Sequence, residues 1–324
     1  MGLLIDGQWH DRWYDTSKSG GRFQREEARF RHWVTADGAP GPDGDGGFAA
    51  APGRYHLYVS LACPWAHRTL VVRALKGLEG LIDVSVVSPL MLENGWTFDE
   101  AEGSTGDRVG GRAFMHEVYT AARADYTGRV TVPVLWDRER ETIVSNESAD
   151  IVRMLNAAFD GLTGNTLDLY PEDLRDTIDA WNARIYPRVN NGVYRAGFAT
   201  TQAAYEEAFD ELFAELDAID AHLAEHRFLA GDRFTEADVR LFTTLVRFDA
   251  VYHGHFKCNR QRLEEFAHLP GYLRELYQLP GIAETVDFAH IKGHYYRSHP
   301  TINPTGVVPA GPALDYARPH GRDR

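Results

Sequence analysis

The hydrophobic pattern in the first half of the chain predicts short strands separated by helices. Arg54–Ser60 is a β-branched and aromatic run that predicts a strand, and Asp83–Ser88 predicts another. Between them, Pro64 in a first helical turn and Gly77 beyond the last turn delimit a helix. The chain therefore begins its regular structure with a β-α-β unit.

The following segments extend this pattern to a complete α/β domain. In chain order they predict a short helix, a strand interrupted by proline, the second arm of a hairpin and a helix: Phe114–Ala122, Val130–Trp136, Glu141–Ser145 and Glu147–Ala158. We expect Ser145 or Asn146 to cap the last of these helices. The order β-α-β-α-β-β-α is typical of a thioredoxin-like domain, which we predict over residues 54–164.

Beyond Gly164 the pattern becomes helical. One face of a long helix carries apolar residues at helical steps: Tyr205, Ala208, Phe209, Leu212, Phe213, Leu216, Ile219 and Leu223. Thr235 has the position of a helix cap, with Asp238 three residues later. We therefore predict an all-helical domain over residues 165–295.

The two ends of the chain lack this regularity. Residues 38–53 contain six glycines and three prolines, a composition typical of irregular structure. We predict an irregular N-terminal extension over residues 1–53, which its aromatic residues hold against a folded body. Residues 296–324 are again rich in proline, glycine and charge, and we predict a C-terminal tail.

Charge and composition narrow the possible functions. The 324 residues include 34 Lys plus Arg and 47 Asp plus Glu, giving a net charge of −13. Such an acidic chain lacks the electrostatic signature of a nucleic-acid-binding protein. No run of about 20 apolar residues predicts a membrane span, and the first residues do not resemble a signal peptide. We therefore expect a cytoplasmic protein that binds neither nucleic acid nor membrane.

The two cysteines, Cys63 and Cys258, cannot form a disulfide framework or a four-cysteine zinc site. Cys63 lies between a predicted strand and a predicted helix, where helix N–H groups favour the thiolate and lower the thiol pKa from about 8.5. Position 66, where a Cys-x-x-Cys motif has its second thiol, is Ala66. Cys63 is therefore either a nucleophile that needs an external thiol or a buried structural cysteine.

Two further motifs have both a functional and a structural interpretation. Pro133 interrupts a strand, as an edge-strand proline does. In a thioredoxin-like domain a cis proline at this place faces the cysteine and leaves the Val132 backbone available to an extended peptide. At the start of the next helix, Glu147 suits an ammonium group and Ser148 a carboxylate, the two charges of a γ-glutamyl group. Plain helix capping is the alternative for that pair.

The chain resembles the glutathionyl-hydroquinone reductases, or Xi-class glutathione transferases, over essentially its whole length. The matching stretches are Gly20-Gly21-Arg22-Phe23, Cys63-Pro64-Trp65-Ala66-His67-Arg68, Gly95-Trp96, Arg129-Val130-Thr131-Val132-Pro133, Asn146-Glu147-Ser148, Val193-Tyr194, Arg247-Phe248-Asp249-Ala250-Val251-Tyr252 and Lys292-Gly293-His294-Tyr295-Tyr296. The resemblance implies the glutathione transferase fold, in which a thioredoxin-like N-terminal domain precedes an all-α C-terminal domain.

The resemblance also implies a reaction and a set of site residues. Cys63 attacks the sulfur of a glutathionyl-hydroquinone, the hydroquinone leaves, and a second glutathione resolves the mixed disulfide. Tyr194 is implied as the proton donor or acceptor, and Tyr252 and Tyr295 as hydrogen-bond donors that lower the pKa of Cys63. The residues implied to hold glutathione are Trp96, Arg129, Val130, Thr131, Val132, Pro133, Glu147 and Ser148. A homodimer is implied by the resemblance alone.

Other functions remain open at this stage. A conjugating glutathione transferase would keep the fold but needs Ser or Tyr rather than Cys63 at the helix start. A non-enzymatic interaction module has no need of a reactive thiol. His253, His255 and Cys258 have short spacing but no clear fourth ligand, so we predict no metal site. We expect Cys258 to be structural.

Overall fold

The strands lie mostly in the first half of the chain. In the computed structural model, which describes residues 2–42 and 44–322, they are β1 (Leu3–Ile5), β2 (Gln8–His10), β3 (Tyr55–Val59), β4 (Asp83–Val86), β5 (Met91–Leu92), β6 (Gly95–Trp96), β7 (Gly128–Arg129), β8 (Val134–Asp137) and β9 (Thr142–Ser145). The predicted strands around residues 54–60, 83–88 and 141–145 correspond to β3, β4 and β9.

The helices continue to the C-terminal region. They are α1 (Pro64–Leu75), α2 (Met115–Ala122), α3 (Ser148–Ala157), α4 (Asp160–Thr163), α5 (Arg175–Ile185), α6 (Gly192–Gly197), α7 (Gln202–Leu223), α8 (Glu236–Arg247), α9 (Leu269–Tyr277) and α10 (Phe288–Ser298). Tyr186–Asn190 and Phe248–Tyr252 form single π-helical turns. Short 3-10 turns cover Ser17–Ser19, Glu100–Glu102, Glu172–Leu174, Leu263–Glu265 and Ala283–Thr285.

These elements group into two units, each made of separate stretches of chain. The first unit contains the chain up to Trp13, Glu26–Leu167 and Thr285–His294. The second contains Tyr14–Arg25, Asp168–Glu284 and the chain from Tyr295 onward. The N-terminal extension is therefore divided between the units at Tyr14 and Glu26.

A four-stranded mixed sheet forms the centre of the first unit. Its strand order is β4-β3-β8-β9, with β3 parallel to β4 and antiparallel to β8, and β8 antiparallel to β9. β3 is buried along its whole length, and α1 and α3 pack against each other. Buried strands rich in Val, Leu and Tyr with a helical crossover explain the parallel pair. The predicted thioredoxin-like arrangement is confirmed.

The predicted strand Val130–Trp136 is shorter in the structure. Arg129 ends β7, Val134 begins β8, and the residues between them, including Pro133, are outside both strands. Proline has no N–H to donate to a strand ladder, so the ladder can begin only after it. The Val132–Pro133 peptide bond is cis, which agrees with the thioredoxin-like interpretation of Pro133 rather than with the edge-strand alternative.

The prediction of an irregular N-terminal extension is wrong at Leu3–His10. β1 and β2 form an antiparallel hairpin, and β1 also pairs with β7. Asp6 and Gly7 make its two-residue turn with φ of 47° and 75°, the left-handed geometry that such hairpins require. Strands of three residues are too short to produce a recognisable alternation, which is why the pattern did not reveal them.

The regular elements of the second unit, among its described residues, are helices and helical turns. The 22-residue helix α7 buries Leu212, Leu216 and Ile219 completely, which confirms its predicted apolar face. Thr235 and Asp238 form the predicted capping box of α8, in which the Thr235 N–H donates to the Asp238 carboxylate at 2.8 Å. The all-helical character of the second domain is confirmed.

The C-terminal tail is packed rather than extended along the part that the structure describes. α10 continues to Ser298, so residue 296 lies within a helix. Farther on, Tyr316 is buried, and the Gln278 side chain donates to the Tyr316 and Arg318 carbonyls at 2.8 and 2.7 Å. No helix in residues 2–42 and 44–322 is long and apolar enough to cross a membrane.

Candidate active site

Cys63 occupies the junction between β3 and α1, as predicted. It is the N-cap residue of α1, with extended backbone angles and Pro64 as the first helical residue. Its carbonyl accepts the His67 N–H at 2.9 Å, while the thiol is partly exposed. The first-turn N–H groups and the helix dipole favour a negative charge at this end, so the position suits a thiolate.

The cysteine and the cis proline lie together in the first unit. The Cys63 thiol donates to the Val132 carbonyl, with 3.5 Å between sulfur and oxygen. Pro133 follows immediately and is buried. Val130 is also buried, and Thr131 exchanges two hydrogen bonds with the Tyr119 hydroxyl through its backbone, at 2.9 and 3.2 Å. The Val132 carbonyl therefore lies beside the thiol, and the Tyr119 hydroxyl holds the backbone of the preceding residue.

The start of α3 differs from the prediction in its cap. Glu147, not Ser145 or Asn146, is the N-cap residue, and its carboxylate accepts the Ala149 N–H at 3.0 Å. The Asn146 side chain is engaged elsewhere, because it accepts the Phe30 N–H at 3.1 Å and donates to the Tyr119 hydroxyl at 3.1 Å. Ser148 begins the helix and is almost fully buried.

Arg129 and Trp96 each have partners within the first unit. The Arg129 guanidinium donates to the Arg12 and Trp13 carbonyls at 2.5 and 3.3 Å, and to the Glu26 carboxylate at 3.3 Å. Trp96 stacks on His294, with ring centroids 4.8 Å apart. Arg129 thus ties the N-terminal segment to β7, a contact that the sequence did not reveal.

The three predicted tyrosines converge within the second unit. We call Tyr194, Tyr252 and Tyr295 the tyrosine cluster. The hydroxyls of Tyr194 and Tyr295 form a short hydrogen bond, and those of Tyr252 and Tyr295 are 3.0 Å apart. Tyr194 comes from α6, Tyr252 from the end of a π-helical turn and Tyr295 from α10. Residues far apart in sequence therefore form one chain of hydroxyl groups.

The three tyrosines of the cluster differ in their electrostatic surroundings and in their exposure. Burial, and then its two phenolic neighbours, raise the pKa of Tyr295 well above its usual range, whereas the Arg247 guanidinium acts in the opposite direction. Tyr194 is 8% exposed, compared with 0% for Tyr252 and 1% for Tyr295. Tyr295 is therefore a neutral central hydroxyl, and Tyr194 is the member with most access to a ligand.

The segment around Cys258 has no feature of a metal centre. The His255 and His299 rings share a hydrogen bond of 3.1 Å, and burial followed by the Lys257 charge lowers the pKa of His255 to about 4. Cys258 is completely buried, and burial raises its thiol pKa. Within the described part of the chain, no group of three or more His, Cys, Asp or Glu residues could hold a metal ion.

Sequence reasoning also missed residues that act on the predicted ones, among them His294, Arg247 and Arg25. His294 stacks on Trp96, Arg247 influences Tyr295, and the Arg25 guanidinium lies over the Tyr194 ring at 4.7 Å. His294 and Arg247 fall inside stretches that carried the family resemblance, so their position was available as a signal. Arg25 lies two residues beyond the Gly20–Phe23 stretch, and only the folded chain places it.

Two family models match the chain at places that agree with this architecture. The N-terminal domain of glutathione S-transferase matches residues 62–158, and the C-terminal domain matches residues 202–278. The fold and these two matches define a glutathione transferase.

Two glutathionyl-hydroquinone reductases are similar to this chain along nearly its whole length. The chain is 60% identical to glutathionyl-hydroquinone reductase YqjG of Escherichia coli, covering 100% of this chain and 99% of YqjG. It is 53% identical to glutathionyl-hydroquinone reductase PcpF of Sphingobium chlorophenolicum, covering 97% of each. This chain belongs to the glutathionyl-hydroquinone reductases, the Xi class of glutathione transferases.

Solved structures agree with this assignment. The glutathione-bound structure of Escherichia coli YqjG has a TM-score of 0.92 at 57% identity and covers 99% of both chains. The Xi-class transferase of Natrialba magadii has a TM-score of 0.90 at 52% identity, covering 100% of this chain and 97% of its own.

Proposed function

We propose that this protein reduces glutathionyl-hydroquinones to hydroquinones, with glutathione as co-substrate and a Cys63–glutathione mixed disulfide as intermediate. The observation that carries the proposal is a single thiol at the N-terminus of α1, beside the Val132 carbonyl, in a chain 60% identical to a glutathionyl-hydroquinone reductase. Because position 66 is alanine, the intermediate must be resolved by a second glutathione.

The first half-reaction forms a disulfide and breaks a carbon–sulfur bond. The Cys63 thiolate attacks the glutathionyl sulfur, and the electron pair of the sulfur–carbon bond passes to the aryl carbon. That carbon takes a proton and leaves as the hydroquinone. A second glutathione then attacks the mixed disulfide, which releases oxidised glutathione and regenerates the thiolate. Two glutathionyl groups thus leave as one disulfide, and the ring gains a hydrogen.

We assign the proton transfer to Tyr194, because a phenol is a suitable general acid for a leaving aryl carbon. Tyr194 is the most exposed member of the tyrosine cluster, and the Tyr295 hydroxyl can stabilise the phenolate left behind. Tyr252 hydrogen-bonds to Tyr295 and completes the chain. The family likeness also implies Tyr252 and Tyr295 as hydrogen-bond donors to the Cys63 thiolate. Each phenol has one proton to donate, so we propose this role only for the free thiolate, before Tyr194 gives up its proton.

The first unit supplies the proposed glutathione site. Val132, with its carbonyl beside the thiol, is proposed to pair with the peptide backbone of glutathione. Glu147 and Ser148 at the start of α3 suit the γ-glutamyl end. Arg129 is proposed for the glycyl carboxylate, which would compete with its carbonyl partners Arg12 and Trp13. The other residues proposed to line the glutathione site are Trp96, Val130, Thr131 and Pro133.

The decisive experiment measures both the release of hydroquinone and the covalent adduct on the protein. Wild-type protein is incubated with a glutathionyl-hydroquinone, and release of the hydroquinone is measured by chromatography and the protein by intact mass. We expect turnover with glutathione and, without it, one glutathionyl adduct on Cys63. Cys63→Ser should lose both the adduct and the turnover, while the matched Cys258→Ser variant keeps both.

Three outcomes would contradict this proposal. Normal turnover by Cys63→Ser would remove the cysteine from the mechanism. Efficient conjugation of glutathione to chloro-dinitrobenzene, with no reductase activity, would favour a conjugating transferase. Absence of both activities, with glutathione bound, would favour an interaction module.

Domain roles, assembly and location are part of the same proposal. We propose residues 54–164 as the glutathione-binding domain and residues 165–295 as the helical domain, with residues 1–53 as extension and 296–324 as tail. A homodimer rests on the family likeness, and sedimentation equilibrium tests it. The absence of a disulfide between Cys63 and Cys258, together with a net charge of −13, supports a cytoplasmic location, which fractionation of cells tests.

A further inference from the structure

The segment Tyr14–Arg25, which we call the fastened segment, belongs to the helical unit and is hydrogen-bonded to the residues just before α7. The Thr200 N–H donates to the Gly21 carbonyl at 3.0 Å, and the Thr201 hydroxyl donates to the Gly20 carbonyl at 3.0 Å. Gly21 has φ of +84°, and a Cβ there would lie 2.6 Å from the Thr201 side chain. This close approach explains the second glycine of the pair Gly20-Gly21.

The fastened segment places Phe23 and Arg25 against α6. Phe23 is buried and packs on Phe198 with ring centroids 5.3 Å apart. The Arg25 guanidinium lies 4.7 Å from the centroid of the Tyr194 ring and 5.3 Å from that of Phe23. A cation over an aromatic face is attracted by the ring electrons.

A second contact fixes the Arg25 side chain relative to Tyr194. The Arg25 Nε–H donates to the Asn191 side-chain oxygen at 2.9 Å. The Asn191 carbonyl in turn accepts the Tyr194 N–H at 3.1 Å. One residue therefore holds both the guanidinium and the backbone of the tyrosine, so the stacked geometry is determined at two points.

We propose that Arg25 is a positioning residue for the reaction, which holds the Tyr194 ring and stabilises the phenolate formed when Tyr194 gives up its proton. This inference rests on the proposed function. When the proton moves from the Tyr194 oxygen to the aryl carbon, the ring under Arg25 becomes negatively charged. A cation at this distance stabilises the anion more than the neutral phenol. The contact is therefore stronger after proton transfer than before it, as transition-state stabilisation requires.

The test separates charge from packing by three substitutions at one position. Arg25→Gln removes the charge, Arg25→Met keeps an apolar stem of similar length, and Arg25→Lys keeps the charge. For glutathionyl-hydroquinone reduction we expect Arg25→Gln to lower kcat about tenfold with little change in the KM for glutathione. Arg25→Met should be equally impaired, and Arg25→Lys should recover part of the lost rate.

A matched control lies three residues away in the same segment. Arg22 pairs with Glu207 at 2.6 Å on the surface, so Arg22→Gln removes a charge from the fastened segment without touching the tyrosine cluster. We expect this variant to stay within about twofold of wild type, as surface ion pairs contribute little.

A second substrate distinguishes proton supply from general damage. Reduction of the mixed disulfide of glutathione and mercaptoethanol needs the Cys63 thiolate but releases a thiolate, so no carbon is protonated. We expect Arg25→Gln to retain this activity. Equal loss of both activities, or equal rates for Arg25→Met and Arg25→Lys, would overturn the positioning role.

The two proposals fail in different ways. A wild-type protein that does not reduce glutathionyl-hydroquinones would overturn the proposed function and this inference together. An active wild type with an equally active Arg25→Gln variant would overturn the Arg25 role alone.

Discussion

The two cysteines of this chain occupy opposite environments. Cys63 is partly exposed as the N-cap residue of α1, and its sulfur lies 3.5 Å from the Val132 carbonyl oxygen. Cys258 is completely buried, and its thiol donates to the Phe256 carbonyl at 3.8 Å. The same side chain is a candidate nucleophile in one place and a small apolar filler in the other, because reactivity depends on thiolate stability and access.

The largest expected effect is a difference in alkylation rate. We predict that iodoacetamide modifies Cys63 at least about a thousandfold faster than Cys258, because modification of Cys258 requires opening of the helical unit. Peptide mapping of the folded protein over time measures both rates in one sample. Modification of both thiols in denaturant is the control. Comparable rates in the folded protein would contradict the contrast between the two sites.

An acid titration tests how buried His255, near Cys258 in the sequence, affects the free energy of unfolding. The pKa of His255 is about 4 in the folded chain, below the value of about 6.5 in the unfolded chain. Between these values the unfolded chain binds the extra proton, so the free energy of unfolding falls as the pH drops from 6.5 to 4. The loss reaches about 3 kcal/mol at most and is absent above pH 6.5.

Urea denaturation across this pH range measures the effect. The buried His56 of the first unit, whose pKa burial also lowers to about 4, adds a loss of the same sign. His255→Gln should reduce the slope between pH 6.5 and 4, and His56→Gln should reduce it independently. An unchanged slope in His255→Gln would show that His255 is not the titrating group.

The smallest predicted effect concerns packing beside Cys258. A Cβ at Gly197 would lie 2.2 Å from the ring of Phe256, which also packs on Tyr194 and Tyr252. We expect Gly197→Ala to lower the free energy of unfolding by about 1–3 kcal/mol and to reduce reductase activity by displacing that ring. Urea denaturation and steady-state kinetics measure the two effects.

Gly192→Ala is the matched control in the same helix. The nearest atom to a Cβ at Gly192 is the Pro187 carbonyl oxygen at 3.6 Å, an ordinary contact. We expect a change within about 0.5 kcal/mol and unchanged activity. Equal destabilisation by both substitutions would point to a general helix effect rather than to the Phe256 contact.

Much of the fold could be predicted because its signals are local. The runs that became β3, β4 and α7, and the capping box of Thr235 and Asp238, depend on side-chain periodicity and near neighbours. The hairpin Leu3–His10 and the π-helical turns were missed, because three-residue strands and one extra residue in a turn leave no periodic pattern. The cap of α3 was misplaced because the Asn146 side chain bonds to the distant residues Phe30 and Tyr119.

The sequence by itself determined the chemistry available to this protein: one cysteine before a helix proline, alanine where a second thiol could stand, and the stretches that identify its family. It could not establish how Arg129 is partnered, that Arg25 lies over Tyr194, or that three tyrosine hydroxyls meet. Those contacts join residues at least 43 positions apart, and Tyr194 and Tyr295 are separated by 101 positions. They exist only when packing brings the segments together, since no local pattern encodes a distant partner.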